Sequence, residues 1–228
     1  MIVTLELKPG AAASEAWLTE HLGIGRTPIR EALNRLAKEH LVVILPQRGV
    51  VISPLDEGVQ MQLLEAWREL SRLSAQNAAS HATSVERSQF IDTAVALDTA
   101  ANGCEARHSF LNPAMAHFSP TCMTCTSEPS GCSEAFLYLD DELSSLLATA
   151  CGNDFVTEAT KMIFLHFRRF WNAYYREAAD LPRFARLQAE LANAIARGNK
   201  TEASDASDHL MDYLGEFIRA TVTERSSI

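Results

Sequence analysis

One short stretch of this chain changes from a helical to a strand-like rhythm, and it does so directly after a helix with a charged outer face. Val42-Val43-Ile44-Leu45 and Val50-Val51-Ile52 are β-branched runs on either side of Pro46-Gln47-Arg48-Gly49. Two such runs around a four-residue Pro/Gly turn specify a hairpin. Before it, Ile29, Ala32, Leu33, Leu36 and Ala37 fall at i, i+3, i+4, i+7 and i+8. That spacing predicts a helix with one apolar stripe. Thr27 is placed to cap it, and Pro28 suits its first turn, where a missing N–H costs nothing. A shorter helical pattern, with Trp17, Leu18 and Leu22, runs from a capping Ser14 to a stop at Gly23. Two helices, the tight turn Ile24-Gly25 and a two-stranded wing make a winged helix-turn-helix over residues 1–55.

The outer face of the second helix carries Arg30, Asn34 and Lys38 at four-residue spacing, with Arg26 just before them. An α-helix fits the DNA major groove and presents the side chains near its N-terminus to base edges. Arg bonds two guanine acceptors at once, and Asn does the same with adenine. Arg48 at the wing tip is placed to enter a minor groove or grip phosphate. The plainer alternative is a solvated charged face; the turn and the wing favour DNA. A net charge of −9 would argue against nucleic acid if it were evenly spread. It is not: residues 1–55 carry six basic and five acidic side chains, a net +1. A near-neutral module with clustered Arg thus precedes a strongly acidic body.

From Asp56 onward the period is helical almost throughout. Patterns run from Asp56 to about Ser80–Ser84, from Val85 to Ala101, from Phe136 to Ala150 with a stop at Gly152, and over Phe155–Ala179, Leu181–Ala196 and Thr201–Thr223. With no strand-like alternation, residues 56–228 are expected to form an all-helical bundle. The fold class is therefore mainly α. Hydrophobic residues make up 47% of the chain, enough for a core, yet no apolar run nears the roughly 20 residues of a membrane span. Met1–Gly10 lacks a basic n-region, so no secretory signal is read and a cytoplasmic protein is expected.

Residues 103–134 break the order. They hold three prolines, two glycines and four of the five cysteines. Cys122-x2-Cys125-x6-Cys132, with His117 and Cys104 nearby, has the look of a zinc half-site. A second pair at matching spacing is missing, so the expectation is an irregular or aberrant insertion with reduced thiols.

At this point the residues resemble a known family. Gly25-Arg26-Thr27-Pro28-Ile29-Arg30-Glu31-Ala32-Leu33, then Arg35-Leu36, then Arg48-Gly49-Val50, is similar to the DNA-binding domain of GntR-family bacterial transcription regulators. The resemblance implies that Arg26, Thr27 and Arg30 make base and phosphate contacts, and that Arg48 and Gly49 form the wing tip. Gly25 stands where the family usually has Ser, which implies a looser cap. Ala16 stands where some members carry another DNA-contacting Arg. Family members also have a first helix before the motif here read as Leu7-Lys8-Pro9-Gly10; only Met1–Glu6 precedes it, so that helix is expected to be truncated.

The helical body resembles, more weakly, the effector domain called FCD of that family's largest branch, through Leu64-x3-Arg68, Asp140-x12-Asn153 and Ala194-Ile195-x2-Gly198-Asn199. In many relatives the pocket holds a divalent metal on one Asp and three His. Here the matching positions read Asp140, Ser144, Gln188 and Leu210, with His209 one residue off that face. A single carboxylate does not hold Zn²⁺ tightly, so no metal cofactor is expected. A pocket of Arg68, Asp140, Ser144 and Gln188, joined by Arg168 or Arg169, is expected instead. Arg's planar fork matches a carboxylate, which makes a small organic acid the expected effector. Interhelical salt bridges are the competing role for the Arg168–Arg169 pair.

These observations together predict a ligand-responsive DNA-binding transcription regulator. It is expected to be a repressor and a homodimer on a short inverted-repeat operator in double-stranded DNA. An enzyme or metal carrier on the helical body is a second class, opposed by the lack of any catalytic motif. A regulator fragment that no longer binds DNA is a third.

Overall fold

The computed structural model describes residues 1–45, 49–102 and 130–225, with the side chains of residues 130–135, 177 and 222–225 outside that description. The elements are β1 (Ala12–Ala13), α1 (Glu15–Leu22), α2 (Arg26–Lys38), β2 (Val42–Leu45), β3 (Gly49–Ile52), α3 (Glu57–His81), α4 (Ser84–Asn102), α5 (Ser130–Cys151), α6 (Asp154–Ala178), α7 (Leu181–Arg197) and α8 (Lys200–Arg225). The architecture is the mainly-α one expected, a winged helix-turn-helix followed by helices. The chain divides into two compact units. Among the described residues, the first comprises 1–45, 49–63, 161–178 and 218–225; the second comprises 64–102, 130–160 and 179–217.

In the first unit, α1 and α2 begin and end where local chemistry tells them to. The Ser14 hydroxyl accepts from the Trp17 N–H, and Gly23 closes α1 in the left-handed region at φ 64°. Helix α2 starts two residues earlier than a Thr27 cap would place it. Gly25 is its N-cap, with extended backbone and no side-chain bond. Pro28 is then the third helical residue, where the absent N–H has no helical partner in any case. At the other end His40 takes φ 59°, its N–H bonds Ala37 O, and the Leu41 N–H bonds Leu36 O. This is a Schellman closure without glycine, and it leaves the Glu39 carbonyl free of the helix.

The wing is a three-stranded sheet in the order β1-β3-β2, not the two-stranded hairpin the sequence indicates. Val42 pairs with Ile52 and Leu45 with Gly49, while Ala12 pairs with Val51. Two alanines give no strand signature, so β1 is invisible to periodicity. It joins because Gly49 lets the backbones close up. A Cβ at Gly49, where φ is 92°, would lie 2.5 Å from the Ala13 carbonyl oxygen. Leu18, Ile29, Leu33 and Val50 form the core of this head, with Leu7 and Ala13 against it.

The second unit is helical throughout its described residues, with α4 packed on α7 and α5 on both. Its helix ends are well capped. Thr83 and Glu86 form a capping box at the start of α4: Glu86 Oε2 accepts from both Thr83 N and Thr83 Oγ1 at 2.7 Å. Asp180 caps α7, and Asn199 Oδ1 accepts the first N–H groups of α8. Arg87 of α4 ties the C-terminal ends of two other helices together. Its guanidinium donates to Ala79 O and Ala82 O at the end of α3, and to Ile195 O and Ala196 O at the end of α7. Helix ends leave carbonyls unpaired and partly negative, so one cation satisfies both. Gly198 makes room for it: a Cβ there would lie 2.7 Å from Arg87 Nη1.

Helix α5 begins at Ser130, so the expected irregular insertion ends before Cys132, which is helical. Cys104, His117, Cys122 and Cys125 lie outside the described residues. Cys151 is a buried free thiol. Arg87→Met is expected to lower stability by about 2–3 kcal/mol, because four carbonyls lose a charged donor; urea unfolding of the two proteins side by side measures it.

Candidate nucleic-acid interface and effector site

The apolar stripe of α2 is turned inward through Ile29 and Leu33, both buried. About 3.6 residues per turn then place Arg26, Thr27, Arg30 and Asn34 on the opposite side, and all four are exposed. Of the expected DNA contacts these four share the outward face of one helix. Gly49 sits at the start of β3, where its lack of a side chain is required by the approach to β1. Arg48 lies outside the described residues.

Arg30 is not loose. Its Nε donates to Glu15 Oε2 at 2.7 Å, while its side chain remains 66% exposed. Glu15 is the first residue of α1, where a carboxylate also suits the helix dipole. With Nε engaged, the Nη1/Nη2 edge is the edge of the fork left for a guanine. Sequence reasoning passed over Glu15; the Ser14-Glu15 start of α1 facing an Arg four residues into α2 is the signal that marks it.

In the second unit, Asp140 and Ser144 lie one turn apart on α5, and the Gln188 amide of α7 donates to Asp140 Oδ1 at 2.5 Å. Three of the expected effector residues therefore belong to neighbouring positions of two helices. Gln188 is 2% exposed, and its Oε1 has no partner. On α8, Leu210 is buried and His209 exposed. Ser207, one turn before Leu210 and on the same face, is buried with an unpartnered hydroxyl. No motif flags it, because a buried serine in an amphipathic helix has no sequence signature.

The expected arginines divide differently. Arg68 of α3 donates to Asp212 Oδ1 at 2.6 Å and lies 3.6 Å from Asp208 Oδ1. Arg72, one turn on, holds Asp208 through two oxygens. Arg168 and Arg169 belong to the first unit. The Arg168 guanidinium sits 5.0 Å above the Phe164 ring, and the Arg169 guanidinium donates to the Ser53 carbonyl. The side chains at the positions implied for a divalent metal do not suit one. They offer one carboxylate, already facing an amide N–H, together with a hydroxyl and a buried leucine. Among the described residues no group of three His, Cys, Asp or Glu is placed to hold a metal.

Residues 1–52 match the model of the bacterial regulatory proteins of the gntR family, and residues 62–213 match the FCD domain. This chain belongs to the GntR family, in its FCD branch. Similarity to individual members is consistent with that. A helix-turn-helix transcriptional regulator from an unstable DNA locus of Streptomyces ambofaciens is 44% identical over 77 residues, 33% of each chain. The Nta operon transcriptional regulator of Aminobacter aminovorans is 31% identical over 86 residues, 38% of this chain and 41% of that one. The chain thus spans a third to two-fifths of the curated relatives it matches. McbR/YncC of E. coli has a similar fold, with a TM-score of 0.68 at 16% identity, covering 92% of this chain and 88% of that one. The GntR family consists of transcription regulators rather than enzymes, and no described helix is long and apolar enough to cross a membrane.

The Glu15–Arg30 pair separates orientation from charge. Glu15→Gln removes a negative charge beside the reading face, so affinity for random DNA is expected to rise slightly. Its discrimination between specific and random duplex is expected to fall about fivefold, since a bidentate base contact is worth about 1–3 kcal/mol. Arg30→Ala and Arg26→Ala are expected to lose discrimination by the full amount. Competition binding measures both quantities, and discrimination undiminished in Glu15→Gln would show that Arg30 needs no fixing.

Proposed function

We propose that this GntR-family protein is a ligand-responsive regulator, acting as a repressor, whose winged helix reads a short inverted-repeat operator as a homodimer. The single observation that carries this reading is the exposure of Arg26, Thr27, Arg30 and Asn34 on one side of α2 over a buried apolar stripe. Such a face presents guanine-reading and adenine-reading side chains at the spacing of one major-groove helix. A two-fold protein pairs with a two-fold operator, with half-sites about 10 base pairs apart.

The effector site is assigned to Asp140, Ser144 and Gln188, with Ser207 added, and it works without a metal. Gln188 Oε1 and Ser207 Oγ are buried polar atoms without partners, a costly state unless a ligand or water completes it. The acceptors among them call for a ligand that brings its own hydrogen-bond donors. Within the expected class of small organic acids, a hydroxy acid supplies such donors, its hydroxyl groups rather than its carboxylate meeting these residues. Binding to one conformation of the regulator shifts its operator affinity by the difference in ligand affinity between conformations.

Electrophoretic mobility with the DNA upstream of its own gene tests the first part. A retarded, competitor-resistant complex that dissolves steeply with salt is expected, and equal competition by random duplex would refute it. Thermal unfolding across a panel of hydroxy acids, dicarboxylates and polyols tests the second. At a hundredfold excess over Kd the true effector adds about 2.7 kcal/mol. Gln188→Leu is expected to abolish that gain; a gain that survives in it would move the site elsewhere.

A further inference from the structure

The run His166-Phe167-Arg168-Arg169-Phe170-Trp171 is rich in chemistry that the effector site does not absorb. Residues 161–178 of α6 form one compact unit with the winged-helix head. Three side chains of this segment, His166, Arg169 and Asn172, are spaced by three and so share a stripe of the helix. Each donates to a backbone carbonyl of the head. His166 Nε2 lies 2.6 Å from Glu39 O, the Arg169 guanidinium bonds Ser53 O, and Asn172 Nδ2 lies 2.8 Å from Val3 O.

The three carbonyls are not scattered. Glu39 is the C-cap of the recognition helix, and the Schellman closure at His40 leaves its carbonyl free of the helix. Ser53 directly follows the last wing strand and its N–H bonds Leu41 O, so it links the wing to the end of α2. Val3 lies in the N-terminal turns. A carbonyl only accepts, so the Nε2 of His166 carries a proton. Burial lowers the affinity of His166 for a second proton, and the nearby Arg169 and His40 add to this, against Glu39.

Arg169 is the unusual member. It is 1% exposed, its Nε has no partner, and no described carboxylate pairs with it. Burying an unpaired cation is expensive, and an apolar residue of similar volume would cost less. Apolar packing alone would let two surfaces slide, whereas directional bonds to three fixed carbonyls allow one arrangement.

We propose that His166, Arg169 and Asn172 form a clamp on the second half of α6 that holds the DNA-reading head in one pose. They are positioning residues for operator recognition: they touch no DNA, yet set where α2 and the wing are presented. This inference rests on the regulator reading for its consequence at DNA, but its geometry stands without it.

Arg169→Met and Asn172→Ala in the full chain test it, with two readouts. In the DNA-free protein, amides of residues 26–52 are expected to exchange about tenfold faster in the variants, with residues 181–217 unchanged. The thermal midpoint of Arg169→Met is expected to hold or rise, which a merely structural arginine would not permit. On duplexes whose half-site spacing is varied by one to three base pairs, the variants are expected to lose the wild-type spacing preference. The salt slope is expected to stay constant, because no phosphate contact is removed. Unchanged exchange in the head overturns the clamp. Faster exchange with an intact spacing preference overturns its role in presentation. A wild-type protein without sequence preference overturns the regulator reading instead, while the exchange measurement still judges the clamp.

Discussion

The burial of one apolar stripe of α2 against Leu18 and Val50 is the constraint from which the DNA-reading face follows. Ile29 and Leu33 reach the head core, and nothing else in a thirteen-residue helix does. Helical geometry then fixes the rest: with these two inside, Arg26, Arg30 and Asn34 have only the outside left to them. The wing depends on the same core through Val50, and Gly49 allows β1 to close over it. The proposed reading face is thus the complement of the packing face.

The same logic explains which parts of the molecule were legible in the sequence. Ser14, Gly23 and Gly152 mark helix ends by residue type, and α3, α4, α6, α7 and α8 follow their periodicity to within a residue or two. Element β1 has no such mark, because Ala12 and Ala13 are strand residues only by virtue of a glycine 36 residues away. The N-cap of α2 differs from its sequence reading because Pro28 fits the third helical position as well as the first. The outward residues of α2 could be read because periodicity alone places them.

The proposed effector site was legible only in part, for a physical reason. Asp140, Ser144 and Gln188 keep their expected spacing on two helices, and the amide–carboxylate bond between them follows from that. The partners of arginines are not encoded locally. Arg68 and Arg72 meet Asp208 and Asp212 across more than 130 residues of chain, and Arg169 meets a backbone carbonyl, which has no sequence identity to recognise. Long flexible cations declare their charge in the sequence but not their destination. The acidic surplus of the body makes salt bridges the default, and that is where Arg68 goes.

A division of labour follows from these placements. In the proposed reading, one face of α2 carries sequence recognition and buried polar groups of α5, α7 and α8 carry ligand chemistry, while carbonyl bonds join the head to α6. The most direct test of the central claim, that the outer face of α2 reads DNA, is hydroxyl-radical footprinting on the duplex upstream of the gene. The account predicts two protected segments with centres about one helical turn apart, both lost in Arg30→Ala. Protection that ignores sequence, or that persists unchanged in that variant, would contradict it.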